Sequence, residues 1–415
     1  MKECIIIGIN DSRSQWFPPH IMEIIGKGKV FSGGKRHHEI MMPMLPEDAE
    51  WIDITVPLSN VFKKYEEIFL RPQTQTTPSP SGEGKRRGAE GTLIIFASGD
   101  PLFYGFASTV MREMPDCKIE VFPSFNSLQM LAHRMCLPYQ DMHVVSLTGR
   151  PWDKFDEALI RGYDLIGCLT DKNKTPHTIM QRMLDYGYDD YVMTIGENLG
   201  NEEKERITEY DNIRTYDNPN CIILQKTHSS THAPRRKYAL PESEFHLLDG
   251  RTKMITKMPI RLLSLAMLDL HEKRSFWDVG FCTGSVSIEA KLQFPHLKVT
   301  SFEIREEGRE LMEKNSRKFG APGIETVIGD FLDADLEQYE RPDAVFIGGH
   351  GGKLKEMVAR IREVLLPEGC IVFNSVSESS RQMFIESIEA VGMNIIHCSH
   401  IALDNHNPIN IIKAQ

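Results

Sequence analysis

The sequence lacks the long apolar runs of a membrane protein. None of its apolar stretches approaches the roughly 18 residues that a membrane-spanning helix needs. The N-terminal residues MKECIIIGIN contain too short an apolar stretch for a signal peptide and continue into a predicted strand with a glycine turn. We therefore expect a soluble, cytoplasmic protein without a membrane partner.

Paired cysteines and an excess of positive charge are also absent. The 8 cysteines include no C-x-x-C pair and fall mostly in apolar strand-like runs, which is typical of reduced core thiols and not of a metal site. With 48 Lys and Arg against 58 Asp and Glu, the formal net charge is −10, whereas nucleic-acid binding needs a basic surplus. We expect no metal and no nucleic acid. A polyanionic small substrate remains open, because it needs only a local basic pocket.

The length of 415 residues predicts two domains, since a single hydrophobic core rarely grows beyond roughly 250–300 residues. Two polar stretches interrupt the apolar pattern. We interpret the first, at 71–91, as a flexible surface insertion whose basic run Lys85–Arg87 is a solvated loop or a binding patch. The second predicts a linker at 227–239, between a domain at 1–226 and a domain at 240–415.

Both halves alternate strand-like apolar runs with helical patterns. Continuous runs such as TLIIFA are typical of strands buried on both faces, as in parallel sheets covered by helices. The last two strands have no helix between them, which predicts an antiparallel edge. The fold class is therefore α/β, with a Rossmann-like sheet that contains one reversed strand in the second half. The predicted strands are Cys4–Ile9, Lys29–Ser32, Trp51–Ile54, Thr92–Ser98, Lys118–Phe122, His143–Leu147, Asp164–Thr170, Asp190–Ile195, Asn220–Lys226, Ser275–Val279, Lys298–Phe302, Thr326–Gly329, Asp343–Ile347, Cys370–Ser375, Asn394–Ser399 and Pro408–Lys413.

A glycine-rich turn follows the strand FWDVG of the second half. Glycine lets a ligand approach the backbone closely, and the helix that starts at Ser285 offers free N–H groups. Glu303 ends the next strand, 25 residues after Asp278, where an acid accepts ribose hydroxyls, and Asp330 follows the third strand. Singly these acids also fit a surface acid or a helix cap, but the ordered set predicts nucleoside binding. Cys282 replaces the central glycine of the NAD fingerprint, which favours S-adenosylmethionine because this cofactor has no phosphate.

These motifs, together with VFIGGHGGKLKEM, resemble the corrin-pathway methyltransferase family CbiT across about 240–415. The resemblance implies a class I methyltransferase domain. Two positions depart from the family pattern: the turn reads G-F-C-T-G where G-C-G-T-G is usual, and Pro259 stands where an acidic residue is usual. The first departure places the Cys282 side chain in the cofactor turn. The S-adenosylmethionine contacts that the resemblance implies are Thr256, Gly280, Phe281, Cys282, Thr283, Gly284, Glu303 and Asp330.

The segment GGHGG at 348–352 follows the fourth strand of this half, at the mouth where substrate meets cofactor in such a fold. Its glycines allow backbone N–H groups at Gly349 and Gly351 to bind a substrate carboxylate. His350 is the candidate catalytic residue, since it can supply a proton or a hydrogen bond near neutral pH. The alternative is a tight turn around a solvated His350.

In the first half, the run ASGDPLFYG follows a buried strand and opens a helix. Gly99 permits an unusual backbone dihedral and Asp100 is suited to cap the helix, so the residues alone indicate a good strand-to-helix turn. With SGGKRHHE, PSFNSLQMLAHRMCLPYQD, VSLTGRP, LTDKNKTP and ENLG, this run is similar to the tetrapyrrole methylase family, in its corrin C5-methylating branch CbiE, over about 3–225. The resemblance implies a two-lobed fold with an S-adenosylmethionine cleft. The residues that it assigns to the cofactor are Ser98, Gly99, Asp100, Ser127 and Thr170, with the turn at Gly8 on the substrate side.

A basic cluster, Lys35-Arg36-His37-His38, follows a Gly-Gly turn, and Arg150 follows another glycine. Lys35 and Arg36 are candidates to bind the carboxylates of a corrin precursor through charge-assisted hydrogen bonds. The alternative is a solvated basic face.

A fusion of these two families implies methylation of a precorrin-6B-type substrate at C5 by the first domain and at C15 by the second, with loss of the C12 acetate carboxyl, in cobalamin biosynthesis. Each domain is expected to use one S-adenosylmethionine, and methyl transfer needs positioning more than acid–base groups. The alternatives are a nucleic-acid methyltransferase and a non-catalytic regulator that binds a corrinoid or S-adenosylmethionine. The order of the two methylations, the presence of cobalt and a homo-oligomer are left open.

Overall fold

The computed structural model describes residues 2–71, 92–227, 237–251, 254–403 and 407–415. The predicted insertion with its basic run and most of the predicted linker therefore lie outside the described residues. Within the described ranges, no helix combines the length and the apolar character needed to cross a bilayer.

The chain divides into two compact units, and each unit is built from three separate segments of the chain. Unit 1 comprises residues 1–150, 164–177 and 192–226, and unit 2 comprises 151–163, 178–191 and 227–415. Unit 1 ends where the predicted linker begins, but two short segments that precede the linker belong to unit 2.

The first sheet of unit 1 is parallel and covered on both faces. Its order is β3-β2-β4-β1-β5, and each pairing is parallel. Alternate residues of β1 enter opposite cores, Cys4 and Ile6 on one face and Ile5 and Ile7 on the other, as the continuous apolar run predicts. Its elements are β1 (Glu3–Ile9), α1 (Pro19–Lys27), β2 (Val30–Gly33), α2 (Lys35–Met41), β3 (Glu50–Asp53), α3 (Leu58–Leu70), β4 (Thr92–Ser98), α4 (Phe106–Glu113) and β5 (Lys118–Phe122).

A second, mixed sheet follows, with the order β6-β7-β10-β8-β9. β6 pairs with β7 in parallel, whereas the pairs β7–β10 and β8–β9 are antiparallel. The two sheets agree with the two-lobed fold that the resemblance implied. The elements of this stretch of chain are α5 (Ser127–Arg134), β6 (His143–Ser146), α6 (Asp153–Arg161), β7 (Leu165–Leu169), α7 (Pro176–Asp185), β8 (Tyr191–Glu197), β9 (Arg206–Glu209) and β10 (Asn220–Lys226).

Unit 2 contains a seven-stranded sheet of order β13-β12-β11-β14-β15-β17-β16. The first five strands in this order are parallel, and β17 is antiparallel to both of its neighbours. The Rossmann-like sheet with a reversed strand is therefore confirmed. Its elements are α8 (Met258–Met267), β11 (Ser275–Val279), α9 (Ser285–Gln293), β12 (Lys298–Glu303), α10 (Glu307–Phe319), β13 (Ile324–Ile328), β14 (Ala344–Ile347), α11 (Leu354–Val364), β15 (Cys370–Ser375), α12 (Glu378–Ala390), β16 (Ile395–Ile401) and β17 (Ile409–Ala414).

Every predicted strand corresponds to an observed one, with bounds that shift by at most two residues. The strand that the sequence did not predict is Arg206–Glu209. It has the letters RITE, too short and polar for an apolar run, and it forms by pairing with β8.

Candidate functional sites

A cavity of about 610 Å³ lies at the carboxyl ends of β11, β12, β13 and β14, the edge where Rossmann-like folds bind ligands. Its volume falls within the roughly 300–1,000 Å³ that is usual for small-molecule sites. Most residues predicted for the second half line it: Thr256, Gly280, Phe281, Cys282, Thr283, Glu303, Asp330, Gly349, His350 and Gly351. Gly284 is not among the lining residues. Its φ of +74° and its position before α9 give it a role in starting that helix.

The glycine turn after β11 is shaped by close backbone contact. Gly280 has a φ of +78°, and a Cβ at this position would lie 2.6 Å from the carbonyl oxygen of Gly349. The Gly280 N–H donates to the Phe302 carbonyl at 2.8 Å, which ties the turn to the end of β12. The predicted cofactor turn and the predicted substrate loop are thus adjacent.

Cys282 occupies the position where a glycine is expected, and it takes a glycine-like conformation. Its φ is +53°, in the left-handed region, which costs a non-glycine residue roughly 1–2 kcal/mol. The thiol Sγ lies 3.2 Å from the Met254 carbonyl and lines the cavity, so the side chain does enter the cofactor turn. The Cys282 N–H still points to the acid that ends β12, donating to Glu303 Oε2 at 2.9 Å.

Glu303 is buried, with 3% of its surface exposed, so it is not a surface acid. Its Oε1 accepts hydrogen bonds from the backbone N–H and the Nη1 of Arg305, at 3.1 and 3.0 Å. A carboxylate offers about four lone-pair sites, and these two donors together with the Cys282 N–H use three of them, so one remains for a ribose hydroxyl of a nucleoside.

Asp330 lies at the cavity but already has two partners. Its Oδ1 accepts the Leu332 N–H at 3.0 Å, as in the capping alternative, and its Oδ2 accepts from Lys353 Nζ at 2.6 Å. The Lys353 ammonium lowers the pKa of Asp330 below its ordinary value. Asp330 therefore faces the site as an ionised, cation-paired carboxylate.

Two polar atoms of the cavity have no hydrogen-bond partner among the residues that the structure describes: Asp278 Oδ1 and Thr283 Oγ1. Asp278 is fully buried, and Ser287 N–H donates to its other oxygen at 3.1 Å. Burial raises the pKa of Asp278 to about 7. In the sequence, Asp278 gave only the spacing to Glu303, because an acid inside a strand resembles an ordinary core position. These orphaned atoms indicate a polar ligand, so the cavity fits the predicted S-adenosylmethionine.

His350 lines the same cavity from the loop after β14. Its Nδ1 accepts the Gly352 N–H at 3.1 Å, and its ring meets Phe373 edge-on at 5.9 Å between centroids. Burial lowers the pKa of His350. A neutral ring whose Nδ1 accepts a hydrogen bond carries its hydrogen on Nε2, which makes His350 a hydrogen-bond donor.

Unit 1 has its own cavity of about 520 Å³, lined by residues from both of its sheets. Of the predicted residues, Arg36, Ser98, Gly99, Ser127 and Thr170 line it. Lys35 is exposed in the first turn of α2 and is not a lining residue, and neither is Asp100.

Asp100 and Gly8 do not line this cavity, but they hold the turn that does. Asp100 Oδ1 accepts the Leu102 N–H at 2.9 Å, inside the turn that follows β4. The prediction that Asp100 caps the next helix is wrong, because α4 begins only at Phe106 and its N-cap is Gly105. Gly8 lies within β1, where a Cβ would be 2.0 Å from the Gly99 carbonyl oxygen. Gly99 itself has a φ of +60°. The close approach of β1 to the Ser98–Asp100 turn therefore requires glycine at both positions.

Two α/β folds, each with a cavity at strand ends, define a protein with two separate small-molecule sites. Residues 4–211 match the family model of tetrapyrrole (corrin/porphyrin) methylases, and residues 248–412 match that of the precorrin methyltransferase domain. The class is therefore a methyltransferase. Because the first match spans half of the chain, the chain belongs to the tetrapyrrole methylase family.

The chain is similar to named methyltransferases over most of its length or over part of it. The chain is 26% identical over 400 residues to a precorrin-6Y C(5,15)-methyltransferase [decarboxylating] of Sinorhizobium sp, covering 94% of this chain and 89% of the relative. It is 32% identical over 162 residues to the cobalt-precorrin-6B C(15)-methyltransferase (decarboxylating) of Salmonella typhimurium, covering 39% of this chain and 83% of the relative. A crystal structure of precorrin-6y C5,15-methyltransferase from Geobacter metallireducens matches with 29% identity and a TM-score of 0.40, over 44% of this chain and 99% of that one.

Proposed function

We propose that this chain methylates a precorrin-6B-type corrin precursor at C5 and C15 and removes the carboxyl of its C12 acetate, with S-adenosylmethionine as the methyl donor in each half. The observation that carries the proposal is that both families match one chain, in this order. In addition, 94% of this chain aligns with a C(5,15)-methyltransferase. We assign the C5 reaction to residues 1–226, the C15 reaction with decarboxylation to 240–415, and the linker to 227–239.

The residues of unit 2 act mainly by binding and orientation, which can contribute roughly 7–11 kcal/mol to a transfer reaction. S-adenosylmethionine supplies an electrophilic methyl group when bound. Glu303 would accept from its ribose, and Asp278, once ionised, would stabilise its positive charge. The backbone N–H groups at Gly349 and Gly351 bind a substrate carboxylate, and the Nε2–H of His350 donates to the substrate at the cavity mouth.

In unit 1 the Gly99 turn, Ser127 and Thr170 hold the cofactor, and Arg36 binds a carboxylate of the substrate. Arg36 already pairs through Nε with Asp11 at 3.0 Å, which leaves guanidinium hydrogens for a ligand. All 8 cysteines are free thiols, which supports a reducing, cytoplasmic setting. The net charge of −10 supports a small-molecule substrate rather than a nucleic acid.

The proposal is tested by incubating the full-length protein with S-adenosylmethionine and a precorrin-6B-type substrate, with and without cobalt, and weighing the product. We expect a product that has gained two methyl groups and lost one carbon dioxide with at least one of the two substrates. Binding of both ligands without any mass change would contradict the proposal and favour the non-catalytic alternative.

We expect Glu303→Ala to raise the KM for S-adenosylmethionine in the C15 reaction by roughly ten- to a hundredfold. The estimate follows from about 1.5–3 kcal/mol for hydrogen bonds to a charged group, at about 1.4 kcal/mol for each factor of ten. The matched control is Glu306→Ala, because this neighbouring glutamate pairs with Arg309 at 2.9 Å on the surface. Equal KM values in the two variants would remove Glu303 from the site.

We expect binding of S-adenosylmethionine to unit 2 to strengthen as the pH rises towards 7. The raised pKa of Asp278, about 7, means that the free protein holds a proton there which a cationic ligand displaces. The raised pKa also affects the stability of the ligand-free protein. As the pH rises from the ordinary pKa of an aspartate to about 7, the free energy of unfolding falls, because only the unfolded state has released the proton in that range. The measurement is the KM for S-adenosylmethionine in the C15 reaction from pH 5.5 to 8, which should fall as the pH rises towards 7. Asp278→Asn should flatten this profile, and an unchanged slope in that variant would contradict the assignment.

A further inference from the structure

We infer that His37 is a positioning residue of the unit 1 cleft, whose ring directs the Ser98 hydroxyl to donate a hydrogen bond to a carboxylate in that cleft. The inference rests on the proposed function, because it deepens the C5 site.

The hydrogen bonds of the His37 ring fix where its hydrogen lies. The Gly34 N–H donates to Nδ1 at 3.2 Å, so Nδ1 is an acceptor. Burial, reinforced by the neighbouring Arg36 charge, lowers the pKa of His37 to about 4, so the ring is neutral at pH 7. The single hydrogen of a neutral ring is then on Nε2, which lies 2.9 Å from Ser98 Oγ. The ring therefore donates from Nε2 to Ser98, and it also makes a hydrogen bond to the backbone carbonyl of Phe96.

Ser98 receives a second donor. Arg36 Nη2 lies 3.1 Å from the same Oγ. A hydroxyl has two acceptor lone pairs and one hydrogen, so both acceptor positions are used and the hydrogen is left to donate. Ser98 is exposed to the cavity that it lines, so its O–H donates to a ligand.

The surroundings of that hydroxyl select an anionic acceptor. The Arg36 guanidinium stands beside it, and a cation next to an obligatory donor suits a carboxylate oxygen. Two carboxylates have the required chemistry: that of the amino-acid part of S-adenosylmethionine and those on the side chains of a corrin precursor. The neighbouring His38 has a different role, because its ring stacks on Trp51 with 4.2 Å between centroids.

The experiment measures the C5 reaction of the full-length protein, varying S-adenosylmethionine and substrate separately. We expect Ser98→Ala and His37→Leu each to raise one of the two KM values about tenfold, the size of one hydrogen bond to a charged group, with a smaller change in kcat. If His37 acts through Ser98, the double variant should be no worse than Ser98→Ala alone. His37→Gln, which keeps an N–H donor at the end of the side chain, should remain within about threefold of the wild type.

The unfolding temperature of unit 1 in each variant reports that this unit is folded, and His38→Gln controls for disturbance of α2. A raised KM for S-adenosylmethionine identifies the cofactor carboxylate, and a raised KM for the corrin substrate identifies a substrate carboxylate. The inference is overturned if neither KM changes, if the two single effects multiply in the double variant, or if His37→Gln is as defective as His37→Leu. Absence of C5 methylation by the wild-type protein would instead refute the proposed function.

Discussion

Gly280→Ala is expected to abolish C15 methylation and decarboxylation while C5 methylation continues. An added Cβ would lie 2.6, 2.7 and 2.9 Å from the carbonyl oxygen, nitrogen and Cα of Gly349, all backbone atoms that cannot rotate away. The substitution also places a side chain at a φ of +78°. Because the cofactor turn and the substrate loop meet here, one methyl group displaces both. A misplacement of about 1 Å can cost a hundredfold in rate, so we expect at least that loss.

The matched control separates steric displacement from backbone strain. Gly392 has a φ of +71°, and an added Cβ there meets no atom within 4 Å. Gly392→Ala should therefore lower the thermal stability slightly and leave both methylations intact. The measurement is the mass of the product formed by each variant. If Gly280→Ala and Gly392→Ala retain equal C15 activity, the close contact with Gly349 does not shape the site.

The fold could be predicted because its strands are apolar on both faces. A continuous apolar run such as that of β4 is typical of a strand in a sheet covered by helices on both faces. The lack of a helix between β16 and β17 indicated that these two strands are antiparallel. Strand β9 could not be predicted, because Arg206–Glu209 is polar and gains its structure from its partner β8. The sequence also could not predict that the segments at 151–163 and 178–191 belong to unit 2. The residues of a single helix show which face is apolar, but they do not show which element that face packs against.

The site was predictable where a residue's role depends on its place at a strand end, and not where it depends on the direction of a side chain. Glu303 is the last residue of β12, and its spacing in the sequence was enough to predict a place at the cavity. Asp100 also follows a strand, but its carboxylate turns back to cap the Leu102 N–H. Asp278 was missed for the converse reason: an acid inside a strand reads as an ordinary core position until burial and an unpaired oxygen reveal it.

Gly8→Ala is expected to abolish C5 methylation and to destabilise unit 1, with the C15 reaction retained. A Cβ on Gly8 would lie 2.0 Å from the Gly99 carbonyl oxygen and 2.6 Å from the Ser124 nitrogen, which is closer than any real contact. Either β1 or the Ser98–Asp100 turn must move, and the move strains the hydrogen bond that joins them, in which the Gly99 N–H donates to the Ile9 carbonyl of β1 at 2.7 Å. The cleft residue Ser98 would move with it.

The comparison variant is Gly26→Ala in α1, where an added Cβ meets no atom within 4 Å. Alanine is favoured over glycine inside a helix by roughly 0.5–1 kcal/mol, so Gly26→Ala should leave C5 methylation unchanged and raise the unfolding temperature. Thermal unfolding and product mass, measured on both variants, test the pair. Full C5 activity in Gly8→Ala would show that β1 and the Gly99 turn can separate without harm, and the cleft would then not depend on their contact.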